Sequence, residues 1–470
     1  MSTPKMAGTD KGTLTQWPQW VAGTIATLAL VDTGFMNGWA SPYLAQLTSP
    51  DSEGPIRMNE SQASWVASLM NLGRVFGAFV GVACQELIGR KKTLQISGFP
   101  LAFSWVFVIV ANSVHWLYAA RFCSGIAAGM IWSSLALFLG EIADPGIRGA
   151  LISLNVNVNS IGSVLGNVLG PFLSMELFAY VGLLPNLLFV VLFLLIPDSP
   201  HDHVRNDELE KAEKALQWYR READVKKEVQ ELQDFIRGPK MSLLERIKEF
   251  RHPGILKAAF VMFFLNFFFY LSGRNTLILY AEIIVTKSEV SLTPSTVVIG
   301  LGISTILAGT TATLLVDRFG RRSLLITSSL GTSLALIMLG VHFHFLSSGS
   351  FQGRDLSWFP ITALVAFNVF SCYGLVPVPS ALSGELFPPN VKTLAAFGTS
   401  STSAVMAFLS TKTYQPFVDL VGERYVFWTY GLGVFMTVPF TYFFVPETKG
   451  KTLQEIQESL GNPKAVWKNT

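Results

Sequence analysis

Charged side chains are scarce in this chain. Asp, Glu, Lys and Arg make up 14% of its 470 residues, against roughly 25% in an ordinary soluble domain. The deficit excludes a soluble globular protein, and no basic cluster suggests a nucleic-acid partner. Cysteine is rarer still. Cys84, Cys123 and Cys372 lie in or beside apolar runs, where a free cysteine behaves as a small buried hydrophobe, so no disulfide framework is implied. Metal-ligating clusters are missing too: His201 and His203 share a charged loop, and His342 and His344 lie near a helix end, without acidic or cysteine partners at ligand spacing. There is no GlyXXXXGlyLysSer phosphate cradle and no GlyXSerXGly element, so nucleotide-driven pumping and hydrolysis are not expected. The chain therefore reads as a non-enzyme without cofactor or metal. Its opening stretch, MSTPKMAGTDKGTLTQWPQW, has no short apolar core ending at a cleavage site, and the first apolar run is read as a retained helix.

What is abundant is hydrophobicity, at 50% of residues. Apolar runs of about 20 residues, each long enough to cross a hydrocarbon core of about 30 Å, recur about twelve times. They fall near 18–40, 62–84, 93–112, 115–140, 150–173, 178–197, 255–283, 296–316, 323–345, 358–383, 391–411 and 424–446. Several carry Gly, Pro or amide residues, which helices around a water-filled path tolerate better than helices facing lipid. The fold class expected is an all-α membrane protein of twelve transmembrane helices. The long charged stretch after Asp198 splits the runs six and six. The expected organisation is a tail at 1–17, a six-helix bundle at 18–198, an amphipathic helical linker at 199–253, a second bundle at 254–446 and a tail at 447–470.

The cations sit in alternate loops: Arg90, Lys91 and Lys92, then Arg148, the linker, Arg318, Arg321 and Arg322, and Lys392. The positive-inside bias makes these loops cytoplasmic and puts both termini inside. Asn59, in an Asn-Glu-Ser sequon, then falls on the outer side, where glycosylation is possible. The halves also echo each other. Gly89-Arg90 has a counterpart in Gly320-Arg321, and Glu141 with Arg148 has one in Glu385 with Lys392, at the same spacing. Two matches in the same order point to an internal duplication around a shared site. A carboxylate at the end of one helix and cations in neighbouring loops can pair across an inner mouth when it closes and part when it opens. Glu141, Arg148, Glu385, Lys392, Arg90, Asp317, Arg318 and Arg321 are assigned to this latch.

Further motifs carry a resemblance. Arg121-Phe122 with Gly125 and Gly129, Asp317-Arg318-Phe319-Gly320-Arg321-Arg322, Ser272-Gly273-Arg274-Asn275 with Tyr280, Gly374 to Pro379 leading to Glu385-Leu386-Phe387-Pro388, and the stretch from Pro446 to Ile456 together resemble the sugar-porter family of the major facilitator superfamily. Gly38 to Pro42 and Thr411 to Tyr414 look most like its insect facilitated trehalose transporter branch. The resemblance covers nearly the whole chain. It implies two pseudo-symmetric six-helix bundles, alternating access, a small-molecule sugar as partner within the lipid bilayer, and a plasma-membrane location. It also implies that Ser272, Gly273, Asn275 and Tyr280 face substrate at a break in the seventh helix. The sequence gives no oligomeric state.

The departures from the family pattern are equally informative. Phe269 and Tyr270 replace two glutamines, Ser380 replaces a tryptophan, and Ser403 and Ala404 stand for an asparagine and a tryptophan. Val156 stands where the fifth helix usually carries a glutamine, with Asn155, Asn157 and Asn159 around it. Phe269, Tyr270, Asn155, Ser380 and Ser403 are therefore carried as candidate substrate contacts. Arg274 stands where the family usually has an apolar residue. It either attracts an anionic solute, or pairs with Glu282 or Asp32, or reaches outer water. Asp32 resembles the first-helix aspartate of proton-linked sugar porters, although a second register puts Met36 at that point. The function expected is facilitated transport of trehalose or a hexose. The alternatives are proton symport through Asp32, an organic-anion carrier using Arg274, or a sugar receptor that does not transport.

Overall fold

A computed structural model describes residues 16–50, 56–220, 225–237, 245, 248–349, 357–449, 451 and 455–456, with side chains placed except at 145–146, 148–150, 152–157, 231, 235–237, 313–318, 389–390 and 393. The first half comprises α1 (Trp17–Thr48), α2 (Glu60–Ile88), α3 (Arg90–Ile109), α4 (Val114–Ile142), α5 (Pro145–Leu169) and α6 (Met175–Leu194). Between the halves run α7 (Pro200–Arg205), α8 (Leu209–Tyr219) and α9 (Val225–Arg237). The second half begins with α10 (Pro253–Leu271), α11 (Arg274–Leu279), α12 (Ala281–Lys287), α13 (Pro294–Phe319) and α14 (Arg321–Ser347). It continues with α15 (Trp358–Phe370), a π turn at Ser371–Leu375, α16 (Pro377–Glu385), α17 (Pro389–Val421), α18 (Glu423–Phe435) and α19 (Thr437–Phe444).

Eight helical segments among the described residues are long and apolar enough to cross a membrane. The other four apolar runs also lie on helices, and their polar content has a physical reason. Helix α1 buries Gln19 and Asp32, and α17 buries Thr411 and Gln415, so these polar groups face protein instead of lipid. The described apolar part of α5 is Val158–Leu169, and the last run is divided between α18 and α19. Large apolar side chains such as Leu184, Leu187 and Val191 of α6 and Leu307 of α13 are exposed, as a surface solvated by lipid requires.

Glycine decides how closely the first half packs. A Cβ on Gly77 would lie 2.1 Å from the Ile126 carbonyl oxygen, and one on Gly125 would lie 2.2 Å from that of Met70, so α2 and α4 touch backbone to backbone. Gly34 and Gly162 make the same kind of crossing between α1 and α5, each with its Cβ position 2.1 Å from a carbonyl oxygen of the facing helix. Small residues four apart allow this approach where no hydrophobic force separates helix from lipid. The second half mixes the two kinds of contact: a Cβ on Gly374 would lie 2.3 Å from the Leu324 carbonyl oxygen, whereas one on Gly340 of α14 would meet the Trp428 indole of α18 at 2.4 Å.

The duplication is visible at the start of the third and ninth membrane helices, α3 and α14. Gly89 and Gly320 hold nearly the same left-handed conformation, with φ of 89° and 82°. A carboxylate follows the sixth helix of each half and caps the helix that this glycine opens. Asp202 accepts from the Arg90 amide at 2.9 Å, and Glu447 accepts from the Arg321 and Arg322 amides at 3.1 Å each. We call the end of the molecule that carries these groups the basic face. The linker docks on the first half there. Arg220 of the linker pairs with Asp144 at 2.8 Å, Gln19 donates to both Asp144 and the Tyr219 carbonyl, and Arg205 donates to the Gln85 carbonyl.

Candidate functional site

The seventh membrane helix is interrupted between α10 and α11. Gly273 adopts φ +69°, and a Cβ there would lie 2.3 Å from the Tyr430 ring, so both the turn and the close ring require glycine. Ser272 stabilises the break locally. Its hydroxyl donates to the Phe269 carbonyl at 2.5 Å and accepts from the Arg274 amide at 3.2 Å. The chain then resumes as a helix, with the Leu277 amide donating to the Gly273 carbonyl at 2.7 Å.

A polar cluster surrounds this break. The Tyr270 hydroxyl and Ser403 Oγ are 2.6 Å apart, and Ser410 Oγ donates to the Tyr270 carbonyl at 2.8 Å. Asn275 Nδ2 donates to Thr411 Oγ1 at 3.3 Å, and Asn71 Nδ2 approaches the same oxygen at 3.5 Å. Arg74 Nη2 donates to the Tyr270 hydroxyl at 3.4 Å. The cluster thus joins α2 of the first half to α10, α11 and α17 of the second, and it offers amides and hydroxyls at the seam.

The remaining sequence candidates lie at varied distances from it. Phe269 is half-buried, its ring edge-on to Tyr270 at 4.9 Å. Tyr280 is buried and tilts against Tyr414 at 5.0 Å. Ser380 is exposed on α16, and its described hydrogen bond is local, with its carbonyl accepting from Ser383. The Asn155 side chain lies outside the described residues, as do those of Arg148, Asp317 and Arg318. Asn59 is the N-cap of α2: its Oδ1 accepts from the Gln62 amide at 2.8 Å while Gln62 Oε1 accepts from the Asn59 amide.

Arg274 is 8% exposed. It pairs with neither Glu282 nor Asp32, which corrects that sequence-based alternative. Its guanidinium donates to Ser371 Oγ at 2.5 Å and to Cys372 Sγ at 3.6 Å, both on the π turn. Glu282 is turned elsewhere, accepting from Ser295 Oγ at 2.7 Å. Asp32 is wholly buried, with Oδ1 accepting from the Trp105 indole at 2.8 Å and no partner at Oδ2 among the described residues. Trp105, 73 residues from Asp32 in sequence, was not legible as its partner.

On the basic face the described ion pairs each lie within one half. Arg90 pairs with Glu141, which also accepts from Ser199 Oγ at 2.6 Å, and Arg321 pairs with Glu385 at 3.0 Å. Lys392 is exposed. The opposite face does join the halves. Gln415 donates to Glu60 at 2.8 Å, Ser64 Oγ donates to the Lys412 carbonyl at 3.1 Å, the Lys412 ammonium lies 4.1 Å from the Trp65 ring centre, and the Glu282 amide donates to Ser41 Oγ at 3.0 Å. Helices α2 and α17 also meet deeper, where the Phe79 and Phe397 rings are 4.8 Å apart.

Sequence reasoning missed Arg74, Asn71 and Thr411. Arg74 carried a readable signal, since it is a cation near the middle of an apolar run.

A helical molecule with two related halves and a polar cluster at their seam has the major facilitator fold. The xylose transporter XylE from E. coli in an inward-open conformation shares it, with a TM-score of 0.77 at 20% identity over 94% of this chain and 99% of that one. The same proton:xylose symporter bound to 6-bromo-6-deoxy-D-glucose gives a TM-score of 0.71 at 21% identity, over 94% of this chain and 99% of that one. Residues 18–460 match the family described as Sugar (and other) transporter, and the chain belongs to that family. The facilitated trehalose transporter Tret1 of Polypedilum vanderplanki is 30% identical over 446 residues, which are 94% of this chain and 88% of that protein. Tret1 of Drosophila pseudoobscura pseudoobscura is also 30% identical over 446 residues, again 94% of this chain. There the matched part is 51% of the relative, so the chain spans about half the length of that and several other curated relatives.

Proposed function

We propose that the protein carries a small polyhydroxylated solute, with trehalose or a hexose as the first candidates, down its gradient by alternating access. The observation that carries this reading is the broken helix at Ser272-Gly273 with its ring of neutral donors and acceptors. Tyr270 with Ser403 and Asn275 with Thr411 sit where the two halves meet. A polyol needs many weak partners of both kinds, which hydroxyls and amides supply. The relatives named as trehalose transporters support the same reading. The site on this reading comprises Ser272, Gly273, Asn275, Tyr280, Tyr270, Phe269 and Ser403, with Asn155 and Ser380 as outlying members. Glu141, Arg148, Glu385, Lys392, Arg90, Asp317, Arg318 and Arg321 act as the latch on the basic face. With each described pair internal to its half, the latch holds each half rigid and its mouth closes by approach of the two rigid sets.

The loop cations support a basic face turned to the cytoplasm, with both termini inside, Asn59 outside and the plasma membrane as location. The division into two bundles at 18–198 and 254–446 around the linker follows the same logic. Transport is proposed to be uncoupled from protons, with Asp32 engaged by Trp105 in holding α1 against α3. The test is uptake of labelled trehalose and glucose by purified protein in liposomes, with and without a pH gradient. Saturable uptake indifferent to the gradient is the expected outcome. Accumulation driven by inward protons, lost in Asp32→Asn, would replace it with symport, and binding without any uptake would leave a receptor.

A further inference from the structure

Among the described residues, the membrane interior holds more positive than negative charge, with Arg74, Arg121 and Arg274 against Asp32, and one of these cations stands in the candidate site. Arg74 lies 14 residues into the 29-residue α2. At about 1.5 Å per residue this is the middle of the span, where a cation is costly and is ordinarily paired. Arg74 is half-buried, is in no ion pair among the described residues, and has as its described side-chain bond the long contact to Tyr270. The hydroxyl it reaches is the one that bonds Ser403, so this cation belongs to the polar cluster at the seam.

The contrast with the other cations is informative. Several near the faces have carboxylates: Glu141 for Arg90, Asp198 for Lys91, Glu385 for Arg321, Glu423 for Lys287 and Asp144 for Arg220, whereas Lys412 donates to Ser64 Oγ and lies over the Trp65 ring. Arg121, wholly buried, donates to the carbonyls of Met36 at 2.8 Å and Val66 at 3.1 Å, which ties α4 to α1 and α2. Arg274 is held by neutral groups alone, Ser371 and Cys372. Asp32 is the described carboxylate deep within a span, and its bond is to Trp105. Arg74 and Arg274, one from each half, therefore leave the seam positive, with no carboxylate paired to either among the described residues.

From this imbalance, and resting on the transport reading above, we propose that the solute itself supplies the missing charge: the central site takes a sugar acid, a polyol bearing one carboxylate, with Arg74 as its charge contact. The guanidinium fork of Arg74 matches a carboxylate in geometry, and its single long bond to a neutral hydroxyl is readily exchanged for two charge-assisted ones. The amide and hydroxyl groups of Asn71, Asn275, Thr411 and Ser403 receive the hydroxyls of the same solute. Arg274, deeper in the second half, raises the positive potential without touching it.

The test is binding of glucuronate, gluconate, glucose, trehalose and glucose 6-phosphate to the full-length protein in detergent, by displacement of labelled glucuronate and by shift of the unfolding temperature, beside uptake of each in liposomes. Glucuronate or gluconate is expected to bind at least roughly tenfold tighter than glucose, and its affinity is expected to fall as salt is raised. Arg74→Gln is expected to lose at least tenfold in glucuronate affinity, with Arg74→Lys intermediate. If Arg74→Gln fails to fold, the salt dependence of the unaltered protein decides. Glucose or trehalose bound as tightly as glucuronate, binding of glucose 6-phosphate in preference to the sugar acids, or glucuronate affinity indifferent to salt would overturn the proposal. The two readings fail separately. Uptake of neutral sugars without the acids sinks the charge contact and leaves transport standing, whereas tight glucuronate binding without uptake of any solute does the reverse.

Discussion

At the scale of single residues, the site depends on one glycine. Gly273 combines φ +69° with a ring of Tyr430 where its Cβ would be. Gly273→Ala is expected to strain the backbone by about 1–3 kcal/mol and to push Tyr430 aside. A lowered unfolding temperature in detergent, together with loss of uptake, checks it; an unchanged temperature would show that the break relaxes freely. The residues of this break were legible in the sequence, because Ser272, Gly273 and Asn275 interrupt an otherwise apolar segment. Arg74 was not singled out, because one cation is averaged away in a 20-residue run. Its meaning also depends on Tyr270, 196 positions along the chain, which only folding brings within reach. The fate of Arg274 was open for the same reason: its acceptors lie on the π turn, 97 and 98 positions away.

Among helices, the first half is organised by backbone crossings through glycine. Gly125→Leu is expected to force α4 away from α2, at a cost of about 1–3 kcal/mol or more from overpacking. A Cβ on Gly140 of the same helix meets nothing within 4 Å, and Gly140→Leu is expected to be better tolerated. Size-exclusion profiles and unfolding temperatures of the two variants provide the comparison, and equal behaviour would argue against the crossing as the determinant. The existence of the helices was readable, since apolar runs of about 20 residues have few other solutions in a bilayer. Their pairing was less so. Glycines four apart on α2 and α4 announce that something packs closely, but not which helix it is.

For the whole molecule, the halves are joined on the face opposite the basic one, chiefly between α2 and α17. Ser64→Cys with Lys412→Cys is expected to form a disulfide on oxidation, since Ser64 Oγ lies 3.1 Å from the Lys412 carbonyl and so brings its Cβ near the Lys412 backbone. Cross-linked protein is expected to lose uptake and to regain it on reduction. Full uptake by the cross-linked form would mean that this face need not open. The duplication behind this two-part design was legible from Gly89 and Gly320, whose shared conformation and carboxylate caps repeat in each half. The direction of the ion pairs was not, because charge spacing cannot distinguish a partner within a half from one across the mouth.

The docking of the linker gives the moving parts a natural reporter. Through Asp202, Arg205 and Arg220 the helices α7 and α8 are fastened to the first half. They should accordingly travel as a passenger of that half while the second swings. A donor fluorophore on the exposed side of α8 and an acceptor at exposed Lys392 would then turn each transport cycle into a change in energy transfer, and a dye pair kept on α8 and α6 would stay silent through the same cycle.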